Sequence, residues 1–164
     1  MFKLVVLLAL SAAVINAWNP PTFKQCDSRW AHETLGYGPD TICQAGCLMT
    51  SVTSMVAGCG HNYNPSTMNS WLKAHGGFQG DLYVWGPIKE FGFNYQGQIT
   101  GTAAIRAAVT AGKRVILNVN NGHHWVLALK DTGSGFDVMD PGYNTKHYAY
   151  SDVVRAGIYS AGCS

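Results

Sequence analysis

The sequence predicts an α+β domain, with helical segments first and an antiparallel sheet after them. Apolar residues recur at helical spacing along the run that opens at Cys47. Strand-like runs separated by turn residues follow in the second half of the chain. Nineteen glycines and a charged fraction of only 12% suit a loop-rich mixed fold better than a helical bundle.

The chain opens with a basic Met-Phe-Lys stretch, a short apolar run and small residues ending at Ala17. This pattern is expected of a signal peptide over residues 1–17, cut before Trp18. Residues 18–164 then form a single domain, long enough to bury a core. No later stretch is apolar enough to cross a membrane, so no membrane association is expected after cleavage. The expected location is extracellular, or the lumen of a secretory or lysosomal compartment.

Residues 18–45 are rich in proline, glycine and polar groups and are expected to be irregular. From Cys47, the positions Leu48, Val52, Met55, Val56 and Cys59 define one helix face, and Gly58 and Gly60 can stop it. Asn64-Pro65 reads as N-cap and first residue of a helix running to His75, before Gly76-Gly77. Tyr83–Phe91 is expected to form a short helix ending at Gly92, and Ala103–Ala111 another ending at Gly112. Strands are expected at Arg114–Val119, His124–Lys130 and Phe136–Met139, with Asn-Asn-Gly and Thr-Gly-Ser-Gly turns between them. Ser151–Ile158 closes the chain as an element whose type the pattern leaves open.

The net charge of +2 is spread without a basic stripe or an acidic tail, so a nucleic-acid partner is not expected. No nucleotide fingerprint is present, and no cofactor is expected. The five cysteines are Cys26, Cys43, Cys47, Cys59 and Cys163. In an oxidising compartment most of them pair, and an odd number leaves one free or paired between chains. With Cys47 free, the other four can pair in three ways, of which Cys26–Cys43 with Cys59–Cys163 is favoured. A zinc site built from Cys26, Cys43, Cys47 and Cys59 is the metal alternative, without standard ligand spacing.

Gly46-Cys47 carries the functional expectation. A thiol at a helix N-terminus is placed to react as a thiolate, because the helix dipole and free N–H groups favour the anion. His124, on a strand, suits the base that takes its proton. Of the adjacent histidines, His124 shares a strand face with Val126 and Ala128, whereas His123 and Trp125 lie on the other face. Asp140 ends the next strand and can orient the ring, although a carboxylate before proline is also a common turn residue. The Cys47 N–H and a side-chain amide, from Gln25 or Gln44, are the candidate oxyanion donors.

These residues carry a resemblance. Gln25-Cys-Asp-Ser-Arg-Trp30, Leu35-Gly-Tyr-Gly38, Thr41-Ile42 and Gly46-Cys-Leu-Met-Thr-Ser51 resemble the opening of papain-fold cysteine peptidases, nearest to the bacteriocin-processing, or double-glycine, peptidase group. His124-Trp-Val126 and Asp140-Pro-Gly142 resemble that group's histidine and aspartate motifs, and the match spans residues 25–155. The resemblance implies a helical part facing a sheet across a cleft, with Cys47 as nucleophile, His124 as base and Asp140 as orienting group. It implies Gln25 as the oxyanion residue, within Gln-x-Asp-x-x-Trp, with Gln44 as competitor.

The expected activity is therefore that of a secreted, monomeric thiol hydrolase cleaving amide or peptide bonds in protein, peptide or a peptidoglycan cross-bridge. Acyl transfer in the manner of a transglutaminase uses the same residues. The alternative from another class is a catalytically inactive papain-fold module that binds peptide or glycan. It would be marked by a disulfide at Cys47 or by a His124 without an acceptor.

Overall fold

The computed structural model describes residues 18–163. The signal-peptide expectation lies outside these residues. The chain forms an α+β domain: four α-helices, a six-stranded antiparallel sheet and a separate two-stranded ribbon among the described residues. None of the described helices is long and apolar enough to cross a membrane.

Helix α1 (Ile42–Ala45) is a single turn capped by Thr41, and it passes through Gly46 into α2 (Cys47–Ala57). Gly58 caps the end of α2. Helix α3 (Pro65–Ala74) begins as the sequence predicts: the Asn64 side chain accepts from the Thr67 N–H, the Thr67 hydroxyl accepts from the Asn64 N–H, and Pro65 occupies the first turn. Helix α4 (Thr102–Thr110) occupies the alanine-rich segment.

The ribbon consists of β1 (Phe78–Gln79) and β2 (Leu82–Tyr83). The short helix expected over Tyr83–Phe91 is reduced to a 3₁₀ turn at Pro87–Phe91, because Tyr83 is taken into β2. Gly92, at φ 87°, ends that turn in the left-handed region, where glycine carries no Cβ penalty. The main sheet contains β3 (Tyr95–Ile99), β4 (Arg114–Val119), β5 (His124–Asp131), β6 (Gly135–Met139), β7 (His147–Ala149) and β8 (Arg155–Tyr159). Its order is β3-β8-β4-β5-β6-β7, antiparallel throughout. The predicted strands at 114, 124 and 136 are consecutive neighbours. The closing segment of open type is β8, and it lies between β3 and β4.

The sheet is covered on both faces. Helices α2 and α3 enclose a core with Ile116, Leu127, Met139 and Tyr159 from one face. Helix α4 packs Ile105 and Ala108 on Val115, Leu117, Val126 and Val138 from the other. Alternation along β4 and β5 sends successive side chains into the two cores, which explains why both strands read as nearly continuous apolar runs.

Two disulfides are present, Cys26–Cys43 and Cys59–Cys163, and they fit an oxidising, extracytoplasmic environment. Three of the four sulfurs of the zinc alternative are therefore already bonded. Cys59–Cys163 links positions 104 residues apart, tying the segment after β8 to the end of α2. A closed loop of this length strongly restricts the unfolded chain. Replacing both residues by serine is expected to cost about 2–5 kcal/mol of stability, read as a lower denaturant midpoint. An unchanged midpoint would show that the bridge constrains little.

Candidate active site

The residues of interest meet at the end of the sheet where β5 begins and β6 ends. Helix α2 docks on the β4–β5 face, and the Ser51 hydroxyl donates to the Trp125 carbonyl at 3.2 Å, tying helix to strand. Cys47 is the first residue of α2 and is free and partly exposed. As the N1 residue its N–H has no partner within the helix. Gly46 is required there for a contact reason: a Cβ on it would lie 2.4 Å from the Ile42 carbonyl oxygen. Its φ of −82° is open to any residue, so the constraint is the close passage of α1 over the start of α2.

His124 is buried, and its Nε2 lies 2.7 Å from Asp140 Oδ1. This contact assigns Nδ1 to the thiol side. The thiol sits beside the ring, close enough to raise its pKa by hydrogen bonding and by charge. Burial by itself lowers the His124 pKa, but the Asp140 hydrogen bond and the neighbouring Cys47 outweigh it and raise the value to about 9. Tyr143 stands edge-on to the imidazole with ring centroids 5.0 Å apart.

Asp140 is both a turn residue and the histidine's partner. Its Oδ1 accepts from the N–H groups of Gly142 and Tyr143, each at 2.9 Å, while also facing His124. Its Oδ2 accepts from the Tyr148 hydroxyl at 2.9 Å. Burial pushes the carboxyl up, but the histidine and these donors more than offset it and hold the pKa below the usual range. Lys24 Nζ donates to the Asp140 and Tyr143 carbonyls, fixing the backbone of the turn. A Cβ on Gly142 would come within 2.8 Å of His124 Cε1, so the turn needs glycine where it passes the ring.

Ahead of His124, the buried Asn118 amide donates to the carbonyls of Gly122 and His124. Asn120 and Asn121 adopt φ values of 52° and 55°. This left-handed pair makes the tight turn that starts β5 at His124.

The two glutamines separate clearly. Gln25 is buried beside this cluster: its N–H donates to the Pro141 carbonyl at 2.9 Å and its Nε2 to the Cys43 carbonyl at 2.6 Å. Its Oε1 is buried without a partner and points toward Gly142 and His124. Gln44 is spent locally, since its Oε1 accepts from the Thr41 N–H to complete the cap of α1. The Cys26–Cys43 bridge ties the residue after Gln25 to Cys43, the hydrogen-bond partner of the Gln25 amide.

His123 and Trp125, the chain neighbours of His124, line a groove of about 360 Å³ that contains Cys47. Leu35, Phe78 and Tyr83 form further parts of its wall.

The structure thus brings Cys47, His124, Asp140 and Gln25 together and leaves Gln44 in a capping role. Tyr148, Lys24 and Asn118 were not singled out by sequence. Tyr148 lies on a three-residue strand with no periodic signal, and Lys24 acts through backbone carbonyls of a distant turn. Compared with protein-family models, curated proteins and solved structures, the chain matches none of them.

Proposed function

We propose that this chain is a papain-like cysteine hydrolase that cleaves amide or peptide bonds, acting outside the cytoplasm. The observation that carries the proposal is a free thiol at a helix N-terminus beside a histidine whose far nitrogen is 2.7 Å from a buried carboxylate. A helical part packed against an antiparallel sheet, with the thiol at the edge of a groove, supports the papain-like arrangement.

In the proposed reaction the Cys47 sulfur attacks the substrate carbonyl carbon, and a sulfur–carbon bond forms. The developing oxyanion is met by the Cys47 N–H and by the hydrogen of Gln25 Nε2 that Cys43 does not use. His124 gives its proton to the leaving nitrogen as the carbon–nitrogen bond breaks, producing a thioester and a free amine. Water then attacks the thioester while His124 takes its proton, releasing the acid and restoring the thiol. Protein, peptide or a peptidoglycan cross-bridge can supply such a bond. Neither mark of an inactive binding module is present: Cys47 is unpaired and His124 has its acceptor.

The test is alkylation of the secreted protein with iodoacetamide at about pH 6, where an isolated thiol reacts slowly, read by peptide mass spectrometry. Rapid modification confined to Cys47, and lost in His124→Ala, is expected. A Cys47 that reacts no faster than a free amino-acid thiol would overturn the proposal. Gln25→Ala is expected to keep rapid alkylation yet lower turnover on the order of 10²–10³-fold. Loss of both together would instead place Gln25 in the support of His124.

A further inference from the structure

We infer that the groove at Cys47 selects a substrate residue with a long cationic side chain, of the lysine or arginine type, next to the scissile amide. This rests on the hydrolase proposal for the same site. The groove carries two carboxylates, Asp40 and Asp81, on separate loops. Neither makes an ion pair among the described residues. The groove's one basic lining residue is His123. A locally acidic groove therefore sits on a chain whose net charge is +2.

Apart from Gln44 and Cys47, the remaining walls are apolar. Leu35, Phe78, Tyr83 and Trp125 offer a surface on which an aliphatic stem can lie while its charged head reaches a carboxylate. A short or anionic side chain cannot use both features. The volume of about 360 Å³ holds one large side chain with the adjoining backbone.

The loops that carry the carboxylates are held in place before any substrate arrives. The Tyr37 N–H donates to the Gly80 carbonyl at 2.8 Å, docking the loop of Asp40 on the loop of Asp81. The Leu35 N–H closes the first loop on the Asp40 carbonyl at 2.8 Å, and Asn69 Oδ1 accepts from the Gly36 N–H at 3.0 Å. The Asp81 side chain packs on Gly38, where a Cβ would lie 2.5 Å from Asp81 Cβ. Two loops docked in this way lower the ordering cost of presenting their charges on binding.

The experiment separates binding from chemistry. Blocked alanine–glycine hexapeptides carrying a single lysine, arginine, norleucine or glutamate at each internal position are titrated into full-length Cys47→Ala by calorimetry. In parallel, the same peptides are offered to the wild-type protein and hydrolysis is followed by mass spectrometry. Lysine or arginine is expected to bind about tenfold or more tighter than norleucine at one position, and glutamate weakest. The advantage is expected to shrink with added salt and to fall to near parity in D40N/D81N. If the double variant does not fold, D40N alone and the salt series carry the comparison.

Equal affinity for lysine and norleucine, or a preference insensitive to salt and to the Asp40 substitution, would overturn the inference. Turnover of wild-type protein without a cationic preference would overturn it while leaving the hydrolase proposal standing. Cation-selective binding without turnover would uphold the groove's selectivity and count against hydrolysis.

Discussion

Asp140→Ala is expected to abolish rapid alkylation of Cys47, lowering its rate on the order of 10²–10⁴-fold. The carboxylate orients His124, and it also accepts from Tyr148 and from two backbone N–H groups. Removing it leaves a buried imidazole without its counter-charge and several donors without an acceptor. Breaking a buried pair in this way costs about 3–5 kcal/mol, so the folded state should weaken as well. Asp140→Asn separates the two roles. The amide oxygen can still receive the turn's N–H groups and the ring, so the fold should survive, but the charge is gone.

The pH dependence distinguishes the variants. His124 has a folded pKa of about 9, above its ordinary value of 6.5. Because the folded value is raised, the stabilisation from its proton is complete below about 6.5 and is lost as pH climbs through about 9. The protonated ring is also the acid that the leaving amine needs. Amide hydrolysis by the wild-type pair should hold on the alkaline side until about pH 9 and then fall. In Asp140→Asn that limb should move down toward the ordinary histidine value. An unmoved limb would mean that another group sets it.

Gly46→Ala is the second substitution of large expected effect. The new Cβ would sit 2.4 Å from the Ile42 carbonyl oxygen and 2.9 Å from Ile42 Cγ2. A backbone carbonyl cannot swing aside as a flexible side chain can, so α1 must lift or α2 must rotate at its first residue. Overpacking of this kind costs about 1–3 kcal/mol. The first residue of α2 is Cys47, so the sulfur should shift from His124 even in the population that stays folded. The expected result is a lower thermal midpoint together with slower alkylation. A variant that loses stability but keeps full alkylation would show that the thiol position tolerates movement of the junction.

The parts of the site legible in the sequence are those with local signatures. Cys47 follows a glycine and opens an amphipathic run, His124 opens an apolar strand, and Asp140 precedes proline at a strand end. The pairing of Cys26 with Cys43 and Cys59 with Cys163 was favoured among three possibilities and is the pairing present. What sequence did not reveal depends on distant contacts. Tyr148 supports Asp140 only because β7 pairs with β6, and a three-residue strand leaves no periodic trace. Tyr83 shows a helical context locally, yet pairing with Phe78 draws it into the ribbon. In β3, Gly97 sits at φ 100° within a register shift, which breaks the alternation that would have marked the strand. The resemblance put Gln25 ahead of Gln44 as oxyanion residue, but only the capping bond of Gln44 and the burial of Gln25 set the two apart physically.

The central place of β8 has a consequence for the order of assembly during synthesis. Strands β3 and β4 are made first but do not pair with each other; they wait for a strand made after β7 to enter between them. Until then β4 has an open edge and Tyr159 is missing from the core beneath α2. A growing chain cannot complete the sheet that carries His124 while β8 is still in the ribosome.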